Sequence, residues 1–362
     1  MTISAAARDE AARLTALFRA AGAVPVEADI LQPADTLLDL YGEDIRARAY
    51  VTADPLRGEL MLRPDFTVPV VQMHMEAQAE PARYTYAGEV FRKQETDESR
   101  PVEYLQAGYE VFDGQAPARA DAEVFAEIAG ALAGLPLRAA TGDIGILAAA
   151  VGGLETTAAR KAALARHIWR PKRFRALLDR FCGLTPVPPS RAALLAAADP
   201  FAGAGPEIGL RGRDEIAARV EALREDAAAP PLSQDERARL DALLSLKAPL
   251  PLALTALEEI AVRMPAIGPA VARFAERLAA LEARGVAVDQ LGFEGSFGRT
   301  ALEYYDGFVF GFMAEVRPDL PPVASGGRYD ALTAVLGRGR AVPAVGGVIR
   351  PELVVRLRGD AA

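Results

Sequence analysis

Apolar residues recur at helical spacing over residues 4–21 (SAAARDEAARLTALFRAA), and Gly22 ends the run, so the spacing predicts an amphipathic helix at the start of the chain. Between about 47 and 114 the pattern changes to short β-like runs, ARAYVTAD, GELMLR, RYTYAGEVFRKQ and VEYLQAGYEVFDG, with one helical piece, TVPVVQMHMEAQ, among them. A helix is predicted over about 119–133 and a short strand at LPLRAATGD. From about 154 to 283 the chain becomes helical and rich in Ala, Leu, Arg and Glu, broken at PVPPS, ADPFAGAGPE, AAAPPLS and KAPLPL. Strands return at GVAVDQLGFEG, ALEYYDGFVFGFMAEV and PAVGGVIRPE, with a helix at YDALTAVLG. A helical stretch between two strand-rich parts predicts an α+β core, residues 1–153 and 284–362, with 154–283 as a mostly helical insertion.

Alternation assigns faces within these strands. From Tyr84 to Gln94 it groups Tyr84, Tyr86, Gly88, Val90, Arg92 and Gln94. In VEYLQAGYEVFD it groups Tyr104, Gln106, Gly108, Glu110 and Phe112, with Leu105, Ala107, Tyr109 and Val111 opposite. An interior glycine weakens a strand and often marks close approach by a ligand or another backbone. Gln106, Gly108 and Glu110 therefore read as a small polar pocket floor. The link from Glu95 to Arg100 predicts an antiparallel hairpin, which would bring Arg92 onto the same surface. Tyr305, Gly307, Val309 and Gly311 alternate against Tyr304, Phe308, Phe310 and Phe312 in the same way.

Simpler roles are open to several of these residues. Asp65 and Thr67 can cap the helix that follows them, which has Pro69 in its first turn. Gly326, Gly327 and Gly337 fit turns or a helix C-cap, and His74 and His167 read as structural. The run from Lys161 to Arg175 (KAALARHIWRPKRFR) reads as a solvated basic helix face with Trp169 buried, or as a contact for RNA or an acidic partner.

Composition narrows the function classes. The 362 residues carry 49 acidic and 41 basic side chains, a net charge of −8, which disfavours a broad grip on nucleic-acid phosphates. One cysteine, Cys182, and two histidines leave neither an intrachain disulfide nor a cysteine/histidine zinc site. No apolar run is long enough for a membrane span and no secretory leader is evident, so a cytoplasmic protein is expected. Walker A and G-x-G-x-x-G patterns are missing.

Five ordered segments, LRPDFTVPVVQ, YTYAGEVFRKQ with VEYLQAGYEVFDG, ALEYYDGFVF, ASGGRYDAL and PAVGGVI, resemble the catalytic core of histidyl-tRNA synthetases and their class II relatives. The resemblance covers about residues 10–355. It implies a class II aminoacyl-tRNA synthetase-like antiparallel sheet flanked by helices, with a helical insertion, and a dimeric core. Carried over by position, it implies that Asp65, Thr67 and Gln106 hold the α-ammonium of histidine. Glu110 and Tyr305, with Tyr304 beside them, hold the imidazole, and Arg92 faces the carboxylate or a phosphate. A carboxylate and a phenol can engage both ring nitrogens.

The departures point away from adenylation. Leu353 stands where the synthetases bind ATP with an arginine, Gln94 stands where they have a carboxylate, and their histidine-specific arginine falls on Thr300, with Arg299 displaced by one. A one-residue slip on a strand turns a side chain to the opposite face. The chain also leaves no room for an anticodon-binding domain. This combination resembles the regulatory subunits of ATP phosphoribosyltransferase. That likeness implies a non-catalytic subunit without metal or cofactor, in a hetero-octamer with a short catalytic subunit, which it activates and subjects to histidine feedback inhibition. The alternative is a histidine-activating synthetase-like enzyme lacking an anticodon domain.

Overall fold

The computed structural model describes residues 3–41, 45–77, 79–94, 100–206, 208–299 and 304–360. Along them run the strands β1 (Val24–Pro25), β2 (Leu31–Pro33), β3 (Val51–Asp54), β4 (Gly58–Leu62), β5 (Ala82–Phe91), β6 (Glu103–Phe112), β7 (Leu137–Asp143), β8 (Lys247–Pro249), β9 (Gly292–Glu294), β10 (Phe308–Ala314), β11 (Ala324–Arg328) and β12 (Ala344–Ile349). Nine of them form one sheet in the order β1-β5-β6-β12-β11-β10-β7-β9-β8, and β2, β4 and β3 form a small antiparallel sheet. The centre of the large sheet is antiparallel. Parallel pairs occur where β1 meets β5 and β9 meets β7.

The hairpin β5–β6 sets the register. Gly88 lies opposite Gln106, Tyr86 opposite Gly108 and Tyr84 opposite Glu110, so the predicted faces coincide across the pair. The opposite face is covered by the first helix, Ala5–Ala20, which starts on the Ser4 hydroxyl and stacks Phe18 on Tyr109 at 5.2 Å. That helix also packs on the final helix, Pro351–Asp360.

Several expectations are revised. KAPLPL is not only a break, since Lys247–Pro249 forms β8 and pairs with β9. Gly326 and Gly327 lie within β11 rather than in a turn, where Phe310 and neighbouring backbone approach too closely for a side chain. Residues 304–307 are a turn and β10 begins at Phe308, so alternation does not govern Tyr304 and Tyr305. The sides of Gly307 and Gly311 face Arg328 and Phe297, so this third glycine-spaced face is no pocket wall. The basic run is also two helices, Ala158–Arg166 and Pro171–Phe181, rather than one; Trp169 lies half-buried between them.

A buried charge network ties the helix Gly268–Ala283 to the sheet. Arg277 donates to Asp121 at 3.2 Å and to Asp143 at 2.7 Å, while Arg328 donates to Asp121 at 2.7 Å and to Asp330 at 2.9 Å. Asp121 is 2% exposed and Arg277 4%, so neither charge can turn to water if its partner is removed. Leaving such charges unpaired costs about 3–5 kcal/mol. Asp121→Ala should lower unfolding stability by that order in urea titration, and a loss below about 1 kcal/mol would mean that the network is solvated.

Candidate functional site

Glu110 sits on β6 with its side chain 1% exposed. Its Oε1 accepts from the Tyr86 hydroxyl at 2.7 Å and from Thr67 at 3.2 Å, and its Oε2 accepts from Tyr329 at 2.6 Å. Two glycines make the arrangement possible. A Cβ on Gly346, opposite Glu110 across β12, would fall 1.4 Å from Oε2, and a Cβ on Gly108 would fall 2.1 Å from the Tyr86 ring. Gly108 thus admits a tyrosine of the chain itself rather than a ligand. Beneath the carboxylate, Tyr86 stacks on Phe66 at 4.4 Å and Arg63 lies over Phe66 at 4.0 Å.

A recess of about 260 Å³, its open mouth included, lies above Glu110. All seven residues singled out in the sequence, Asp65, Thr67, Arg92, Gln106, Glu110, Tyr304 and Tyr305, line it. Asp65 also serves as a helix cap, because its Oδ1 accepts the Val68 N–H at 3.4 Å at the start of the helix Thr67–Ala77. Tyr304 donates to Thr67 at 3.3 Å, and Arg92 is braced by the Pro64 carbonyl at 2.7 Å. Gln106 is 1% exposed, and its Oε1 has no hydrogen-bond partner among the described residues. An acceptor buried in that way needs a donor from a ligand or a water.

Sequence reading missed Tyr329, Gly346, Gly347 and Val348, which complete the lining, and Tyr86, which anchors Glu110 from below. Tyr86 had a visible signal, since alternation already put it on the Arg92 face. Tyr329 had none beyond the ASGGRYDAL segment, because its contact with Glu110 spans 219 positions.

Burial pushes the Glu110 carboxyl up to about 7, against three hydroxyl donors that favour the ionised form. Burial also raises the Tyr305, Tyr86 and Tyr329 phenols, which remain protonated donors. His74 takes no part in the recess. It stacks on Phe112 at 3.8 Å, bonds to the Tyr84 hydroxyl, and burial pushes it down to about 4, so it stays neutral.

Leu353, Gln94 and Arg299, three of the positions that depart from the synthetase pattern, do not line the recess. Leu353 lies in the helix Pro351–Asp360, and the Gln94 amide donates to the Pro101 carbonyl. Arg299 is buried against Ile168 and Phe174, and Thr300 lies outside the described residues.

The sequence profile of the histidyl-tRNA synthetase family matches residues 3–208 and 212–354. A protein of Mesorhizobium japonicum named ATP phosphoribosyltransferase regulatory subunit is 34% identical over 96% of this chain and 97% of its own. A protein of Allorhizobium ampelinum with the same name is 33% identical over 91% and 92%. The chain belongs to the ATP phosphoribosyltransferase regulatory subunit family. Its fold is also that of a solved regulatory subunit/histidyl-tRNA synthetase from Bacillus halodurans, with a TM-score of 0.69, 23% identity and coverage of 97% of this chain and 78% of that one. Histidyl-tRNA synthetase from Nostoc gives a TM-score of 0.63 at 16% identity, covering 98% of this chain and 71% of that one. Within this regulatory-subunit family, the chain therefore carries a synthetase-like sheet whose recess is built from polar groups of its own.

The raised carboxyl has a consequence for stability. The native state holds a proton on Glu110 up to about pH 7, whereas an unfolded glutamate releases it near 4.3, so the native state binds more protons between those limits. Stability contributed by this group is complete below that window and is lost as pH rises through it, by about 3–4 kcal/mol. Chemical denaturation of the wild type and Glu110→Gln from pH 5 to 8 should show the wild type losing ground to the variant as pH rises. Parallel curves would place the Glu110 carboxyl in the ordinary range.

Proposed function

We propose that this chain is the regulatory subunit of an ATP phosphoribosyltransferase, assembling with a short catalytic subunit, activating it, and relaying histidine as a feedback inhibitor from the Glu110 recess. The observation that carries the reading is the buried, unpartnered Gln106 Oε1 between a carboxylate end and a guanidinium end of one recess. A ligand with an ammonium, a carboxylate and a hydrogen-bonding side chain matches that order of groups. The ammonium donates to Asp65, Thr67 and Gln106, the carboxylate meets Arg92, and the imidazole lies between Glu110 and Tyr305. Glu110, held near pH 7, and imidazole, with an ordinary pKa of about 6.5, share a proton across the neutral range and titrate as a pair.

Selectivity follows from the buried groups. An amino acid that fills the recess without ring nitrogens forgoes any hydrogen bond to Glu110 and Tyr305 and packs an apolar group against them, which a site of this kind disfavours. Regulation then requires histidine to bind the inhibited assembly more tightly than the active one, and a tenfold difference supplies ~1.4 kcal/mol of coupling. The leucine at 353 and the burial of Arg299 away from the recess support a subunit that is not itself a catalyst.

Mixing the chain with the catalytic subunit and assaying phosphoribosyl transfer tests the reading. Activity should rise with added chain, histidine should inhibit it, and Glu110→Ala should still activate while losing histidine sensitivity at least tenfold. An absence of activation, or histidine-dependent exchange of pyrophosphate into ATP by the chain alone, would contradict it.

A further inference from the structure

The basic run between Lys161 and Arg175 takes no part in the recess. The helix Ala158–Arg166 ends at His167, the chain turns, and Pro171 opens the helix Pro171–Phe181 without a side-chain cap or an acidic residue in its first turn. Lys172 and Arg173 occupy that first turn instead, where the helix dipole favours anions. They and Arg166 are exposed, and none of the three makes an ion pair among the described residues. Elsewhere in this region the cations are compensated: Arg175 pairs with Asp241 at 2.5 Å, and Arg160 with Asp226 at 2.7 Å.

Behind the exposed cations lie three buried polar atoms with no hydrogen-bond partner among the described residues, Arg299 Nη2, Trp169 Nε1 and His167 Nδ1. Arg299 is 4% exposed. Its Nε donates at 2.8 Å to the carbonyl of Ile168, the residue between His167 and Trp169, and its guanidinium lies 4.7 Å over the ring of Phe174 in the opening of the helix. No carboxylate reaches it among the described residues, and burial, with Arg175 nearby, pushes its pKa down to about 10. A buried cation without a counter-charge is costly. An uncapped helix start, three unpaired surface cations and a buried guanidinium at one corner therefore share a deficit of negative charge.

We infer that this corner docks an acidic segment of the catalytic subunit, whose carboxylates cover the first turn of the helix Pro171–Phe181, accept from Lys172 and Arg173, and supply the counter-charge that the buried Arg299 lacks. The inference rests on the functional reading above, which supplies the partner. A protein segment fits better than RNA. The net charge of −8 repels an extended polyanion, and three exposed cations fall short of the roughly six to ten phosphate contacts of a tight nucleic-acid binder.

The test is titration calorimetry of the catalytic subunit into the full chain at low and high salt, comparing wild type with Lys172→Glu/Arg173→Glu. Both side chains are exposed, so the variant should fold, and unchanged histidine affinity in the isolated chain checks that it has. The reversal should weaken association at least tenfold at low salt and flatten its salt dependence, while Lys172→Arg/Arg173→Lys should retain wild-type affinity. Equal affinity of wild type and reversal variant would overturn the docking surface and leave the functional reading standing. A wild type that does not bind the catalytic subunit would overturn both. Single-stranded RNA bound by the wild type and lost on reversal, with subunit affinity unchanged, would overturn the assignment to a protein partner.

Discussion

The recess depends on keeping one carboxylate out of water. Glu110 is enclosed by β6 and β12, and its two oxygens receive three hydroxyl donors drawn from the helix Thr67–Ala77, from β5 and from the residue following β11. Each donor fixes the approach of another element, so the sheet register and the shape of the recess are one constraint. The glycine at 346 is part of it, because any side chain there would overlap the carboxylate. Burial and hydroxyl donation oppose each other, and burial prevails, leaving a group that can hold or release a proton at neutral pH.

The second constraint is electrostatic and lies away from the recess. Asp121 receives guanidinium groups from Arg277 and Arg328, which joins the helix Gly268–Ala283, the helix Pro117–Ala131 and β11 through one carboxylate. Arg328 immediately precedes Tyr329, one of the donors to Glu110. The charge network on the helix Gly268–Ala283 and the hydroxyl donor to Glu110 therefore meet at two consecutive residues.

The hairpin was legible in the sequence because period-two alternation fixes faces without knowledge of the partner strand. Arg92, Gln106 and Glu110 followed from it, whereas the place of Asp65 and Thr67 before a helix gave them only a capping role and family resemblance made them site residues. Tyr304 and Tyr305 were found through family resemblance, and alternation alone would have sent them to opposite sides. Their shared position comes from the turn at 304–307, which no periodicity announces. Gly108 was read as a place for ligand approach, and the physical argument was sound about closeness but silent about what comes close, which is Tyr86. Tyr329 and the Asp121 network depend on pairings across more than two hundred and one hundred and fifty positions respectively, beyond any local pattern. The three-residue strand β8 was hidden for another reason, since a proline-bounded segment on a sheet edge reads as a loop.

Glu110 and its hydroxyl donors are proposed to form a site for histidine. Titration calorimetry of the purified chain with histidine and with phenylalanine at pH 7 tests it most directly, because the two ligands share the amino-acid end and differ in the group that meets Glu110. The account predicts saturable binding of histidine, phenylalanine weaker by roughly a hundredfold or more, and loss of the difference in Glu110→Ala. Histidine binding unaltered by Glu110→Ala would place the effector elsewhere and contradict the account.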